Sequence, residues 1–136
     1  MLHLPMEPKE GDSLALEKNT VNSEMASAGI RQILRESLSR IPHARGLNPH
    51  MGSKATEDPG VMEAIMEVLK EDGLYYIDSQ TSAHSAGMKA ARNRGVPAGQ
   101  NGKFLDAVRK TENIRESFRA AVALAKKEGT AIASGH

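Results

Sequence analysis

A chain of 136 residues is long enough for one domain with a buried core. With 18 basic against 17 acidic residues, a formal charge of +1, it has no large field to steer nucleic acid or an acidic lipid surface. Cysteine is absent, which excludes disulfides and thiolate metal sites, and no apolar run approaches the roughly 20 residues that span a bilayer.

The chain opens on a strand-like run, Leu2-His3-Leu4-Pro5-Met6-Glu7. Residues 9–22 are polar and aperiodic and read as a loop. Ser23 is the expected N-cap of a helix whose Ile30, Ile33, Leu34, Leu38 and Ile41 recur at three- and four-residue spacing, and Pro42 stops it. Residues 43–47 read as a short strand that runs into Asn48-Pro49-His50. Thr56 is the expected cap of a second helix, which presents Val61, Met62, Ile65, Met66, Val68 and Leu69 as a broad apolar face before Gly73. Residues 74–77 are unbroken apolar sequence, the pattern of a strand covered on both faces, and end on Asp78. A third helix is expected over 82–94, then a short strand at Val96-Pro97. A fourth is expected over 111–128 with Ile114, Phe118, Ala121, Val122 and Ala125 inward, then a last strand over 130–133. Strands that alternate with helices predict an α/β fold with parallel strands and right-handed crossovers.

In such folds sites form at the C-terminal ends of the strands. His3 and Glu7, four residues apart across Pro5, are suitable ligands for Zn²⁺ or a similar divalent ion, though two ligands are an incomplete site and also a common chance pairing. His50 follows a strand candidate, and Gly52 and Ser53 after it permit close backbone approach and a donated hydrogen bond; a loop histidine packing on its neighbours is the alternative. Asp78 could orient a histidine or bind a ligand, or cap the following helix. His136 repeats the arrangement at the last strand, where an imidazole suits a general acid. The runs that carry His3 and His136 place both chain ends in the candidate site. Dinucleotide, serine-hydrolase, P-loop and zincin motifs are absent.

Six pieces then combine: Leu-His-Leu-Pro-Met-Glu-Pro at 2–8, Asn-Pro-His-Met-Gly-Ser-Lys at 48–54, Gly-Leu-Tyr-Tyr-Ile-Asp-Ser-Gln-Thr at 73–81, Gly-Val-Pro at 95–97, Phe-Leu-Asp at 104–106 and Gly-His at 135–136. In order and spacing they resemble the divergent polysaccharide deacetylase family over essentially the whole chain. The resemblance implies a partial, distorted (β/α) barrel over residues 1–136, a single incomplete catalytic domain. It implies metal-assisted removal of acyl groups from the amino sugars of a polysaccharide, with a divalent ion, Zn²⁺ foremost. It gives His3 and Glu7 as metal ligands, His50 as a catalytic-loop residue, Asp78 as an orienting carboxylate and His136 as the general acid. Ser53 and Asp106 are then the substrate-binding candidates. An extracellular or cell-envelope setting is implied in the same way.

The chain departs from the family pattern in lacking an Ile-Asp-Asp segment on an earlier strand, which supplies a metal-binding Asp and a base. Pro49 stands where a second Asn is usual, and Gln80 where an Arg is usual. Impaired or absent activity is expected of these residues alone, and a sheet edge left open invites self-association. The alternatives are a non-catalytic carbohydrate- or protein-binding remnant of the same fold, or a small domain that binds phosphate at a helix N-terminus.

Overall fold

The structure, a computed structural model, describes residues 1–9 and 16–135. Its elements are β1 (Leu2–Met6), α1 (Ser27–Ser39), β2 (Gly46–Met51), a 3₁₀ turn (Ala55–Glu57), α2 (Pro59–Glu71), β3 (Tyr75–Asp78), α3 (Gly87–Arg94), β4 (Ala98–Gln100), β5 (Lys103–Phe104), α4 (Thr111–Glu128) and β6 (Ala133–Ser134). This is the expected α/β order with parallel strands, and the described sheet is open, in keeping with a partial barrel. The chain divides into two compact units, Met1–Ala98 and Gly99–His136.

In the first unit β1, β2 and β3 lie side by side in that order, with β1 parallel to β2 and β2 parallel to β3. The register pairs Leu2 with Leu47, His3 with Asn48, Pro5 with His50, and Leu47 with Tyr76. Because side chains alternate along a strand, this register divides the sheet cleanly. Leu2, Leu4, Met6, Leu47 and Tyr76 lie buried in one core with Ile30 and Leu34 of α1 and Met62, Ile65, Met66 and Leu69 of α2. His3, Pro5, Asn48, His50, Tyr75 and Ile77 take the other face and are exposed or half-buried. The apolar run at 74–77 was expected to be covered on both faces; instead Tyr75 is 37% exposed. Its ring lies across Gly46, where an added Cβ would come within 2.4 Å of it.

The helix starts differ from expectation for identifiable reasons. Ser23 does not cap α1, which begins after Ala26 without a side-chain cap; Ser23 instead donates to Glu7. Asp58, not Thr56, caps α2, its carboxylate accepting from Gly60 N and Val61 N, with Pro59 in the first turn where no N–H is required. Thr56 donates its hydroxyl to Gly52 O within the preceding turn. α3 starts at Gly87 rather than 82, because Ser82 and Ser85 bond locally to the backbone N–H groups of His84 and Gly87. β1 is an edge strand whose C-terminal end is covered: Val21 N donates to Pro5 O and Glu7 N donates to Val21 O, at 2.9 and 2.8 Å.

The second unit is a small βαβ arrangement in which β5 and β6 pair in parallel on either side of α4 in sequence. Gly129, at φ 84°, ends α4 as its composition predicts. The inward face expected for α4 is largely absent: only Ala121 is buried, while Phe118 is 59% and Ile114 and Val122 are 38% and 39% exposed.

The burial difference fixes an expectation. Met66→Ala, at 0% exposure in the core, should lose about 2–5 kcal/mol in urea unfolding, whereas Phe118→Ala should stay within about 0.5 kcal/mol of wild type. Equal losses for the two would contradict this assignment of the core.

Candidate functional site

The parallel register brings His3 and His50 together. His3 lies on the open face of β1, and His50, opposite Pro5, on the same face of β2. His50 Nδ1 and His3 Nε2 are 3.0 Å apart, and the rings meet edge to face with centroids 4.7 Å apart. One ring nitrogen donates and the other accepts, so the pair is complementary with one imidazole proton between them. Two sequence candidates 47 residues apart are thus one feature of the structure.

Pro49 directly precedes His50 in β2, a central strand, where it has no N–H to give the ladder. The β2–β3 backbone register accordingly stops at Leu47 opposite Tyr76. Side chains continue it: Asn48 Nδ2 donates to Ile77 O at 3.2 Å and to Ser79 Oγ, and Ser79 Oγ donates to Pro49 O at 2.6 Å. Beyond Pro49 the backbone turns sharply, with Met51 at φ 55° and Gly52 at φ 81°. A left-handed conformation at Met51 is costly for a residue with a side chain and has to be held from outside. Thr81 Oγ1 donates to Met51 O at 2.7 Å, and Thr56 donates N–H and O–H to Gly52 O.

Glu7 does not stand beside His3. Its carboxylate accepts from Ser23 N and Ser23 Oγ at 3.0 and 2.8 Å and from Lys54 Nζ at 2.8 Å. Burial by itself raises its pKa, but the bonds from Lys54 and Ser23 outweigh that and hold it below the ordinary 4.5. Asp78 is also elsewhere. It shares the helix-covered face with Tyr76, is 1% exposed, and its carboxylate accepts from Gln80 N at 2.8 Å and Ser85 Oγ at 2.6 Å. Gln80, at φ 54°, is a second non-glycine residue in the left-handed region and is held by that bond. Tyr76 Oη is buried beside this carboxylate without a hydrogen bond of good geometry. Burial first, and the Asp78 charge second, push its pKa upward. An added Cβ at Gly87 would lie 2.5 Å from Tyr76 Oη and 2.6 Å from Asp78 Oδ2, so glycine is what lets α3 approach.

Ser53 follows the turn, where its Oγ accepts from Lys9 N at 2.9 Å. Asp106 is in the second unit, half-buried beside Gly135, whose added Cβ would lie 3.4 Å from Asp106 Oδ1. His136 lies outside the described residues. Among the described residues there is no cluster of three or more His, Asp or Glu side chains able to hold a metal. The His3–His50 pair is a two-nitrogen donor set of the kind Zn²⁺ accepts. A cavity of about 220 Å³ opens beside it, lined by Pro5, Met6, Leu16, Thr20, His50 and Met51 among others. No helix among the described residues is long and apolar enough to cross a membrane.

The pairing of Glu7 with Lys54 and Ser23 had no sequence signal, since they lie 47 and 16 residues from it, and Lys54 stood out only as part of its motif. Asn48 had one only as part of its motif.

The family described as divergent polysaccharide deacetylase matches residues 1–136. The uncharacterised protein YibQ of Escherichia coli (strain K12) is 39% identical over 136 residues, all of this chain and 42% of that protein. An uncharacterised protein of Haemophilus influenzae (strain ATCC 51907 / DSM 11121 / KW20 / Rd) is 33% identical over 136 residues, all of this chain and 48% of that one. The chain thus spans less than half the length of both. The crystal structure of the uncharacterised protein ATU2773 from Agrobacterium tumefaciens C58 superposes with a TM-score of 0.93 at 20% identity, covering 99% of this chain and 55% of that one.

The Glu7 carboxylate gives a pH expectation. A group whose folded pKa is depressed contributes stability that is present above its unfolded pKa and lost as pH falls through the folded value. The stability difference between wild type and Glu7→Gln should therefore be full at neutral pH and shrink as pH falls below the ordinary 4.5. Urea midpoints measured from pH 7 to pH 3 check it, and a difference independent of pH would contradict the Lys54 pairing.

Proposed function

The chain belongs to the divergent polysaccharide deacetylase family, and on that footing we propose that it carries part of the metal centre of a hydrolase that removes acyl groups from the amino sugars of a polysaccharide. The observation that supports the reading is the His3–His50 pair. Two imidazole nitrogens facing each other at 3.0 Å on one face of adjacent parallel strands are close enough to be two ligands of one small cation. In this reading His50, not Glu7, is the second ligand beside His3. His3 and His50 would hold a divalent ion there, Zn²⁺ foremost, which would supply Lewis-acid activation of the acyl carbonyl and of water near neutral pH.

A catalytic zinc takes three protein ligands, so the pair needs at least one more donor. The family resemblance supplies an Asp from an earlier strand, outside these 136 residues. Asn48 and Ser79 keep β2 against β3 and so keep His50 in place. Pro5, Met6, Leu16 and Met51 give the adjacent cavity an apolar side that suits the acyl methyl, while Glu17 and Thr20 also line it. Ser53, after the β2 turn, would supply a polar contact to a sugar hydroxyl or amide group, and the resemblance gives Asp106 a like role. His136 donates a proton to the departing amine, the role the resemblance gives it. Asp78 acts at a distance from the pair, holding Gln80 and the start of α3.

Calorimetric titration with Zn²⁺ tests the ligand assignment. His3→Ala and His50→Ala should each abolish specific binding, while His43→Ala, three residues ahead of β2, should leave it unchanged. Loss in His43→Ala with retention in His3→Ala would sink the assignment. Acetate release from an N-acetylated oligosaccharide, with Zn²⁺ added, should be far greater from a chain extended upstream than from these residues. Equal rates would refute the need for a further donor, and no release from either would favour the non-catalytic carbohydrate-binding alternative.

A further inference from the structure

We propose that Glu7 is a positioning residue, which sets His50 against His3 by clamping the turn after β2 and is not itself a metal ligand; the inference rests on the His3–His50 reading above. Glu7 directly succeeds β1, and its backbone and side chain bond to the same two segments. On one side, Glu7 N donates to Val21 O at 2.8 Å, and the carboxylate accepts from Ser23 N and Ser23 Oγ. On the other, Glu7 O accepts from Lys54 N and Ala55 N at 3.1 and 3.0 Å, and the carboxylate accepts from Lys54 Nζ. Lys54 is therefore held twice by one residue, through its backbone and through its ammonium.

The held segment is the one that decides where His50 points. Between His50 and Lys54 the chain passes through Met51 at φ 55° and Gly52 at φ 81°. That turn is strained at Met51 and relaxes unless both of its ends are fixed. One end is β2, paired to β1 up to Met6 opposite Met51. The other end is Lys54–Ala55, which Glu7 ties to the end of β1, beside the bonds that Thr56 and Thr81 make to Gly52 O and Met51 O. Gly52 also packs closely on β1, where an added Cβ would lie 3.0 Å from Met6 Cβ, so any release of the turn displaces it from the strand that carries His3. A carboxylate already accepting from two N–H or O–H groups of Ser23 and an ammonium is, in addition, a poor ligand. Binding a cation would require it to give up the Lys54 pair and bring two positive charges together.

Zn²⁺ affinity of the chain, measured by calorimetry for Glu7→Gln, Lys54→Met and the double variant, separates clamp from ligand. The clamp predicts that each single variant weakens Zn²⁺ binding by about tenfold, the low end of the loss typical when a group supporting a metal ligand is removed. It also predicts that the double variant is no weaker than either single, because the two act as one unit. A loss in Glu7→Gln with none in Lys54→Met makes Glu7 a ligand and overturns the proposal. The imidazole signals of the metal-free chain in ¹⁵N-edited NMR give a second readout: those of His50 should move in Lys54→Met, and their remaining in place overturns the clamp. His3→Ala keeps the two claims apart. If it binds Zn²⁺ like wild type, the His3–His50 reading fails, and the NMR result still decides the clamp.

Discussion

The parallel register of β1 on β2 is the constraint on which the rest depends. Because Pro5 stands opposite His50, with every second side chain on one face, a single alignment buries Leu2, Leu4, Met6 and Leu47 and brings His3 to His50. A slip of one residue would exchange the faces, exposing the core and separating the histidines. The apolar pressure that fixes the register is large: each fully buried Leu or Met side chain contributes roughly 1.5–3 kcal/mol. The two-histidine contact is thus held by the core beneath it and not by its own modest strength.

Where the strands end, regular pairing gives way to side-chain bonds and strained turns. Pro49 interrupts the β2–β3 ladder, and Asn48 with Ser79 replaces it. Met51 and Gln80 both occupy the left-handed region, each at or just beyond the end of a strand. Such strain persists only where the surroundings fix it. Here the fixing groups are Thr81, Thr56, Glu7 and Asp78. Polar residues that look catalytic in sequence are in this way divided between a facing pair of histidines and the framework that supports it.

The sequence reveals the order of elements because it is encoded locally. α2 announces itself by apolar periodicity, Gly73 and Gly95 mark the exits of α2 and α3, and the parallel arrangement is implied by alternation. The caps are lost where a polar side chain has a distant competitor. Ser23 turns to Glu7 instead of α1, and Asp58, whose carboxylate accepts from the first helix N–H groups, displaces Thr56. The site is legible in its residues but not in its pairing. His3 and Glu7 are neighbours by spacing, whereas His3 and His50 are neighbours only through the register of two strands 40 residues apart along the chain. Asp78 is placed by the same rule: strand alternation puts it with Tyr76 under α3, on the face away from the histidines.

The central claim is that His3 and His50 bind one cation together. X-ray absorption at the zinc edge of the Zn²⁺-loaded chain tests it most directly, because imidazole ligands give a characteristic outer-shell scattering whose amplitude counts them. The account predicts two imidazoles in the wild-type chain and one in either His3→Ala or His50→Ala where any zinc remains. A shell made of oxygen ligands alone, or one unchanged by both substitutions, would contradict it.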